Sequence, residues 1–193
     1  MNVTTAGIDL AKNVFSVHGV DAHGKVALKK TLSRGKLLEC FANLPPCLIG
    51  MEACSGAHHW ARALRSLGHD ARIIAPRFVI PYRKSGKNDG NDAEAICEAV
   101  SRPAMRFVPV KSVEQQAVLS LHRIRSAVVA ERTAQINQIR GLMSEFGLIM
   151  PKGRYPAQHH IPDILEDADN GLPSLARRLL HDIYQRIQAL NQQ

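Results

Sequence analysis

No stretch of this chain is apolar over the ~18–20 residues that a bilayer-spanning helix requires, which excludes a membrane helix. The opening residues, Met1 to Leu10, carry Asp9 and no basic stretch, so they do not read as an export signal. Cysteine is sparse. Cys40, Cys47, Cys54 and Cys97 form no C-x-x-C pair, and the seven-residue spacing of the first three suits no zinc site. These absences predict reduced, mostly packed thiols in a cytoplasmic protein. A phosphate-cradling P-loop is missing, as are internal repeats and low-complexity tracts. Acidic residues are outnumbered, with Lys+Arg 25 against Asp+Glu 17, a formal charge of +8 on 193 residues. That excess points to an anionic partner, nucleic acid first among them. An apolar content of 45% excludes disorder as the main state. The length admits one typical domain with an appendage, or two small ones.

Residues 1–110 read as an α/β domain. Val3 to Leu10, Asn13 to Val20 and Lys25 to Leu32 are three strands joined by turns, an antiparallel meander. Ser33 can cap a helix carrying Leu37, Leu38, Phe41 and Leu44, which Pro45-Pro46 stops. Cys47 to Met51 is a short buried strand ending at Glu52. Ser55 can cap a helix whose apolar face holds Trp60, Ala63, Leu64 and Leu67, with Gly68 just past its end. Ala71 to Ala75 is another strand. The order βββαβαβ implies a mixed sheet flanked by helices. Phe78 to Asn91 reads as a basic functional loop, followed by a helix from about Asn91 to Ser101.

Residues 111–193 read as a helical arm. Ser112 caps a segment ending near Gly147, roughly 50 Å long at about 1.5 Å per residue. Val129, Ile136, Ile139, Met143 and Phe146 form an a/d-like seam interrupted by Arg132, with Leu121, Ile124 and Val128 offset upstream, which predicts a coiled coil or helical hairpin. Met150 to Pro162, rich in Pro, Gly and basic residues, reads as a loop. Beyond a break at Asn170-Gly171, Leu175, Leu179, Ile183, Ile187 and Leu190 stripe a last helix.

Four acids stand out by location. Asp9 ends the first strand, Glu52 ends the fourth, and Asp89 and Asp92 open the helix after the basic loop. If the two strands are neighbours, Asp9 and Glu52 sit side by side. Four carboxylates in one cleft repel unless a cation lies among them, and hard oxygen donors select Mg²⁺ or Mn²⁺. Two such ions about 3.5–4 Å apart stabilise the attacking and leaving oxygens of phosphodiester chemistry. Nearby Lys12, Arg77, Arg83, Lys84 and Lys87 can hold phosphates. Each acid alone has a plainer explanation, since strand-end and helix-capping carboxylates are common. Strand-Asp, strand-Glu, basic loop, helix-Asp is more specific than any single member. His58-His59 reads as a helix surface pair, Trp60 as core, and Arg123, Arg125, Arg132 and Arg140 as a solvated face or a nucleic-acid lining.

Gly7-Ile-Asp9-Leu-Ala-Lys12, Gly50-Met-Glu52-Ala-Cys54-Ser-Gly56 and Lys87-Asn-Asp89-Gly-Asn-Asp92-Ala-Glu-Ala-Ile96 resemble the DEDD transposases of the IS110 type, from bacterial and archaeal insertion sequences. Phe146-Gly to Pro151-Lys-Gly153 and Leu165 to Pro173 extend the resemblance over essentially the whole chain. It implies a ribonuclease-H-like domain similar to Holliday-junction resolvases, with Asp9, Glu52, Asp89 and Asp92 as the metal-binding catalytic tetrad. It further implies a coiled-coil arm for homodimerisation, DNA as substrate and a structured guide RNA as partner, at the bacterial or archaeal nucleoid. Family members continue into a domain carrying a serine proposed to attack DNA. No candidate for it precedes Gln193, so the expectation is a truncated transposase. The competing reading is a non-catalytic, dimerising nucleic-acid-binding regulator of full-length relatives. An actin-like phosphotransferase, suggested by Gly7-Ile-Asp9 after a strand, lacks its second glycine-rich loop and ranks last.

Overall fold

The computed structural model describes residues 2–84 and 89–192, without the side chains of residues 89, 154, 156 and 157. The chain divides into two compact units, Met1–Gln115 and Gln116–Gln193.

In the first unit, β1 (Thr5–Leu10), β2 (Val14–Val20) and β3 (Val26–Ser33) form the expected antiparallel meander. Asp21 shapes the second turn, its carboxylate accepting from the backbone N–H groups of His23 (2.8 Å) and Lys25 (3.0 Å). Then come α1 (Leu37–Ala42), β4 (Leu48–Glu52), α2 (Ala57–Ser66), β5 (Asp70–Ile74), α3 (Pro76–Val79), α4 (Asp89–Val100) and β6 (Phe107–Val108). The strand order is β3-β2-β1-β4-β5-β6, with β4 parallel to both β1 and β5 and the outer pairs antiparallel. The fold is therefore mixed α/β, a six-stranded mixed sheet flanked by helices.

Both faces of the sheet are covered. Ala6, Ile8, Phe15, Val17, Ile49 and Met51 pack with Leu37 and Phe41 of α1 and Trp60 and Leu64 of α2. On the opposite face Ala95, Ile96, Ala99 and Val100 of α4 pack with Ile74 and Val79. This explains why β2 alternates in sequence yet is buried continuously from Phe15 to Gly19. Helix α2 ends as expected at Gly68, whose φ of +91° lets its N–H reach Arg65 O (2.9 Å) while His69 N–H reaches Leu64 O (3.3 Å), a Schellman closure.

Three local expectations are corrected here. Ser33 is the N-cap of a 3₁₀ turn, Arg34–Lys36, that precedes α1, but its side chain makes no cap bond, and Gly56 at φ +91°, not Ser55, opens α2. The segment from Phe78 is not all loop. Pro76 starts α3 at a position where no N–H is needed, buried Val79 anchors it, and a 3₁₀ turn, Ile80–Tyr82, follows. Helix α4 begins at Asp89, two residues earlier than read.

Helix α5 (Val113–Glu145) is the long helix expected, and Ser112 caps it. Its hydroxyl accepts the Gln115 N–H (3.1 Å) while Gln115 Oε1 accepts the Ser112 N–H (3.0 Å), a reciprocal capping box. In the second unit, Ile136, Ile139 and Met143 share a core with Ile161 and Ile164 of α6 (Arg154–Glu166) and Leu180 and Ile187 of α7 (Ser174–Asn191). Val129 and Phe146 do not join that seam and are exposed. The loop expected over Met150 to Pro162 is instead largely α6. Pro156 falls in the first turn, where N–H groups are unpaired anyway, and burial of Ile161 and Ile164 outweighs the interior Pro162. On α7 the buried stripe runs through Leu180, Ile187 and Leu190, whereas Leu175 and Leu179 stay 61% and 54% exposed. No described helix is long and apolar enough to cross a membrane.

Candidate active site

Strand pairing brings the first two acids together. Gly7 pairs with Gly50 and Ile8 with Met51 across the parallel β1–β4 ladder, so Asp9 and Glu52 are the next residues along. Side chains alternate across a strand. Ile8 and Met51 enter the α1/α2 core, which leaves Asp9 and Glu52 on the face that α4 covers. Their charges converge on one further group: burial first, then the negative charges of Asp9 and Glu52, push the Cys54 thiol upward. A raised thiol pKa argues against Cys54 as a thiolate nucleophile.

Helix α4 reaches this face because the strands offer it glycine. A Cβ built on Gly7 would lie 2.1 Å from Ala93 O and 2.4 Å from Cys97 N. On Gly50 it would lie 2.8 Å from Val100 Cβ. Each glycine precedes its acid by two residues, on the same face of the strand. The helix therefore lies directly on the backbone of β1 and β4 and delivers its first turn beside their C-terminal ends. Spacing of the acids alone does not reveal this. The repeated glycine-x-acid pattern was the signal available.

Arg83 completes the arrangement. Its Nη2 donates to Glu52 Oε2 at 2.8 Å and its Nε contacts Asp92 Oδ1 at 2.9 Å. One guanidinium thus ties a strand-end carboxylate to a helix-start carboxylate, with Glu52 20% and Asp92 30% exposed. The sequence predicts a phosphate contact for Arg83; in the structure its guanidinium lies on Glu52 and Asp92. Lys84 pairs with Glu94 of α4 at 2.5 Å and holds that carboxyl below its usual range. Lys12 is exposed in the β1–β2 turn, and Arg77 is exposed with its guanidinium 4.7 Å from the Phe78 ring. Asp89 is the first residue of α4 but its side chain, like the whole of Lys87, lies outside the described residues.

Asp9, Glu52 and Asp92 offer partly exposed carboxylate oxygens, the donor chemistry of a hard divalent cation. Among the described residues no three His, Cys, Asp or Glu side chains are grouped closely enough to hold a metal ion. Between Glu52 and Asp92 the positive charge is Arg83.

The family model of the DEDD transposases of the IS110 type, described as "Transposase", matches residues 6–147, a span that includes all four acids. The chain belongs to this transposase family. It is 51% identical over 191 residues to a "Probable family 20 transposase" of Pseudomonas aeruginosa, covering 98% of this chain and 56% of that protein. It is 46% identical over 172 residues to the transposase for insertion sequence element IS1328 of Yersinia enterocolitica, covering 85% of this chain and 52% of that relative. The transposase for IS1111A of Coxiella burnetii is 43% identical over 183 residues, 95% of this chain and 50% of its own length. The chain therefore spans about half the length of these curated relatives.

Proposed function

We propose that this chain supplies the acidic, divalent-metal-dependent part of an insertion-sequence transposase site that acts on DNA phosphodiesters. One observation supports the reading above others: the β1–β4 register puts Asp9 and Glu52 at neighbouring strand ends, and Arg83 bridges Glu52 to Asp92. Asp89, three residues before Asp92, is the fourth carboxylate. The meander of β1 to β3, extended by parallel β4 and β5, supports a ribonuclease-H-like domain over residues 1–110. Asp9, Glu52, Asp89 and Asp92 would hold Mg²⁺ or Mn²⁺, which when bound stabilises charge on the attacking and leaving oxygens of a phosphodiester. Lys12, Arg77, Lys84 and Lys87, with Arg83 when released, provide phosphate contacts for DNA and for a structured guide RNA.

The helical arm, residues 111–193, serves homodimerisation in this reading. Val118, Leu121 and Ile124 recur along α5 and are exposed by 54%, 63% and 62%, an apolar stripe that a second copy would cover. That stripe also favours the second reading, a dimerising nucleic-acid-binding regulator without cutting activity. Calorimetric titration with Mn²⁺ separates the two. The catalytic reading expects a binding isotherm that Asp9→Asn and Asp92→Asn each weaken about tenfold or more. Metal affinity unchanged by both substitutions would leave the regulator.

A further inference from the structure

We infer that Arg83 is a tethered counter-ion: it holds Glu52 and Asp92 converged while no divalent cation is bound, and it leaves them when one enters. The inference rests on the metal-site reading above and goes beyond it to a positioning residue on the chain itself.

Two carboxylates brought to one end of a sheet repel, and a low-dielectric surface strengthens that repulsion. The guanidinium opposes it with two separate donors, Nη2 on Glu52 and Nε on Asp92, each at hydrogen-bond distance. A planar fork with fixed charge suits this bridge better than a lysine ammonium. Two features let it move. Arg83 follows the 3₁₀ turn Ile80–Tyr82 with extended backbone, and its side chain is 37% exposed, so its path to solvent is open. It also takes up carboxylate oxygens that a metal would require. Arg83 and the cation therefore compete for the same acceptors, and the displaced guanidinium stands free beside the cleft, where a phosphate can replace the lost carboxylates.

The chain of 193 residues tests this with Mn²⁺ and Mg²⁺ as probes. Arg83→Gln is expected to bind Mn²⁺ at least about fivefold more tightly by calorimetry, because the competitor is gone. In the unaltered chain, Mg²⁺ is expected to shift the Arg83 Nε–Hε resonance and speed its solvent exchange as the guanidinium leaves Asp92. Equal or weaker Mn²⁺ affinity in Arg83→Gln overturns the assignment. So does an unmoved resonance at saturating Mg²⁺, since a tighter variant would then reflect charge alone. If neither chain binds Mn²⁺, the metal-site reading itself falls and the tethered counter-ion with it. Should Arg83→Gln not fold, the resonance decides alone.

Discussion

Gly7 lies so close to Ala93 that a methyl group on its α-carbon would meet the Ala93 carbonyl oxygen at 2.1 Å. The obstacle is helix backbone, which cannot turn aside as a side chain can. Gly7→Ala is therefore expected to push α4 off the sheet, at a cost of roughly 2 kcal/mol or more, and to draw Asp92 away from Asp9 and Glu52. Urea unfolding measures the first effect and Mn²⁺ titration of the folded variant the second. Gly50→Ala meets Val100 Cβ at 2.8 Å, Ile96 Cγ2 at 3.0 Å and the Ile96 carbonyl oxygen at 3.1 Å, wider gaps than those at Gly7, and should cost less.

Stability should fall as the medium is acidified from about pH 7 to pH 5. His18 is buried at 5% exposure, and its Nδ1 has no hydrogen-bond partner among the described residues. Burial pushes its pKa below 6.5, the nearby charge of Glu94 opposes this, and Lys29 and Lys84 add to it. His58 shifts the same way, through burial, Lys111 and Arg62. Below about 6.5 the unfolded chain takes up protons that these folded imidazoles refuse, so their contribution is present at neutral pH and lost on acidification. A double variant, His18→Gln with His58→Gln, should flatten the urea midpoint against pH across this window. An unchanged slope would assign the acid sensitivity elsewhere.

Nucleic-acid binding should weaken steeply with salt, because each phosphate contact releases condensed counterions. Lys12 and Arg77 are exposed, so replacing either by Ala should lower affinity for all DNA sequences alike and reduce the logarithmic salt slope by about one. Fluorescence anisotropy over a salt series checks this. A slope that ignores both substitutions would move the phosphate path to another face.

The second unit depends on Arg177 to finish a helix. Its guanidinium donates to Ile164 O at 3.2 Å and Leu165 O at 2.5 Å, carbonyls at the end of α6 that have no helical partner, and also bonds Asn170 at 2.9 Å. Arg177→Ala should cost about 1–3 kcal/mol by leaving Leu165 O unpaired and Ile164 O with Asn170 Nδ2 as its remaining side-chain donor. Hydrogen exchange of the α6 amides should rise while the strands of the first unit stay unaffected.

Much of the first unit was legible because its patterns are local. Alternation in Phe15 to Val20, the turn at Asp21 and the acids closing β1 and β4 all read directly from residue order. What escaped depended on neighbours distant in sequence. Pro162 counts against a helix until Ile161 and Ile164 find a core. Leu175 and Leu179 fit a stripe by spacing, yet the face that packs carries Leu180. Arg83 invites a phosphate in a positive loop, and only the folded chain sets two carboxylates within its reach. The acids stand out in sequence by their location, while Gly7 and Gly50 gain their role only once α4 lies on the strands.

The parallel pairing of β1 with β4 also governs when the site comes into being. The meander of β1 to β3 closes through short turns as a growing polypeptide leaves the ribosome, but Glu52 reaches Asp9 only after β4 has been made and inserted between β1 and β5. Asp92 arrives later still, on α4. Nascent and half-folded copies thus lack the Glu52–Arg83–Asp92 bridge, which forms only when the first unit is complete.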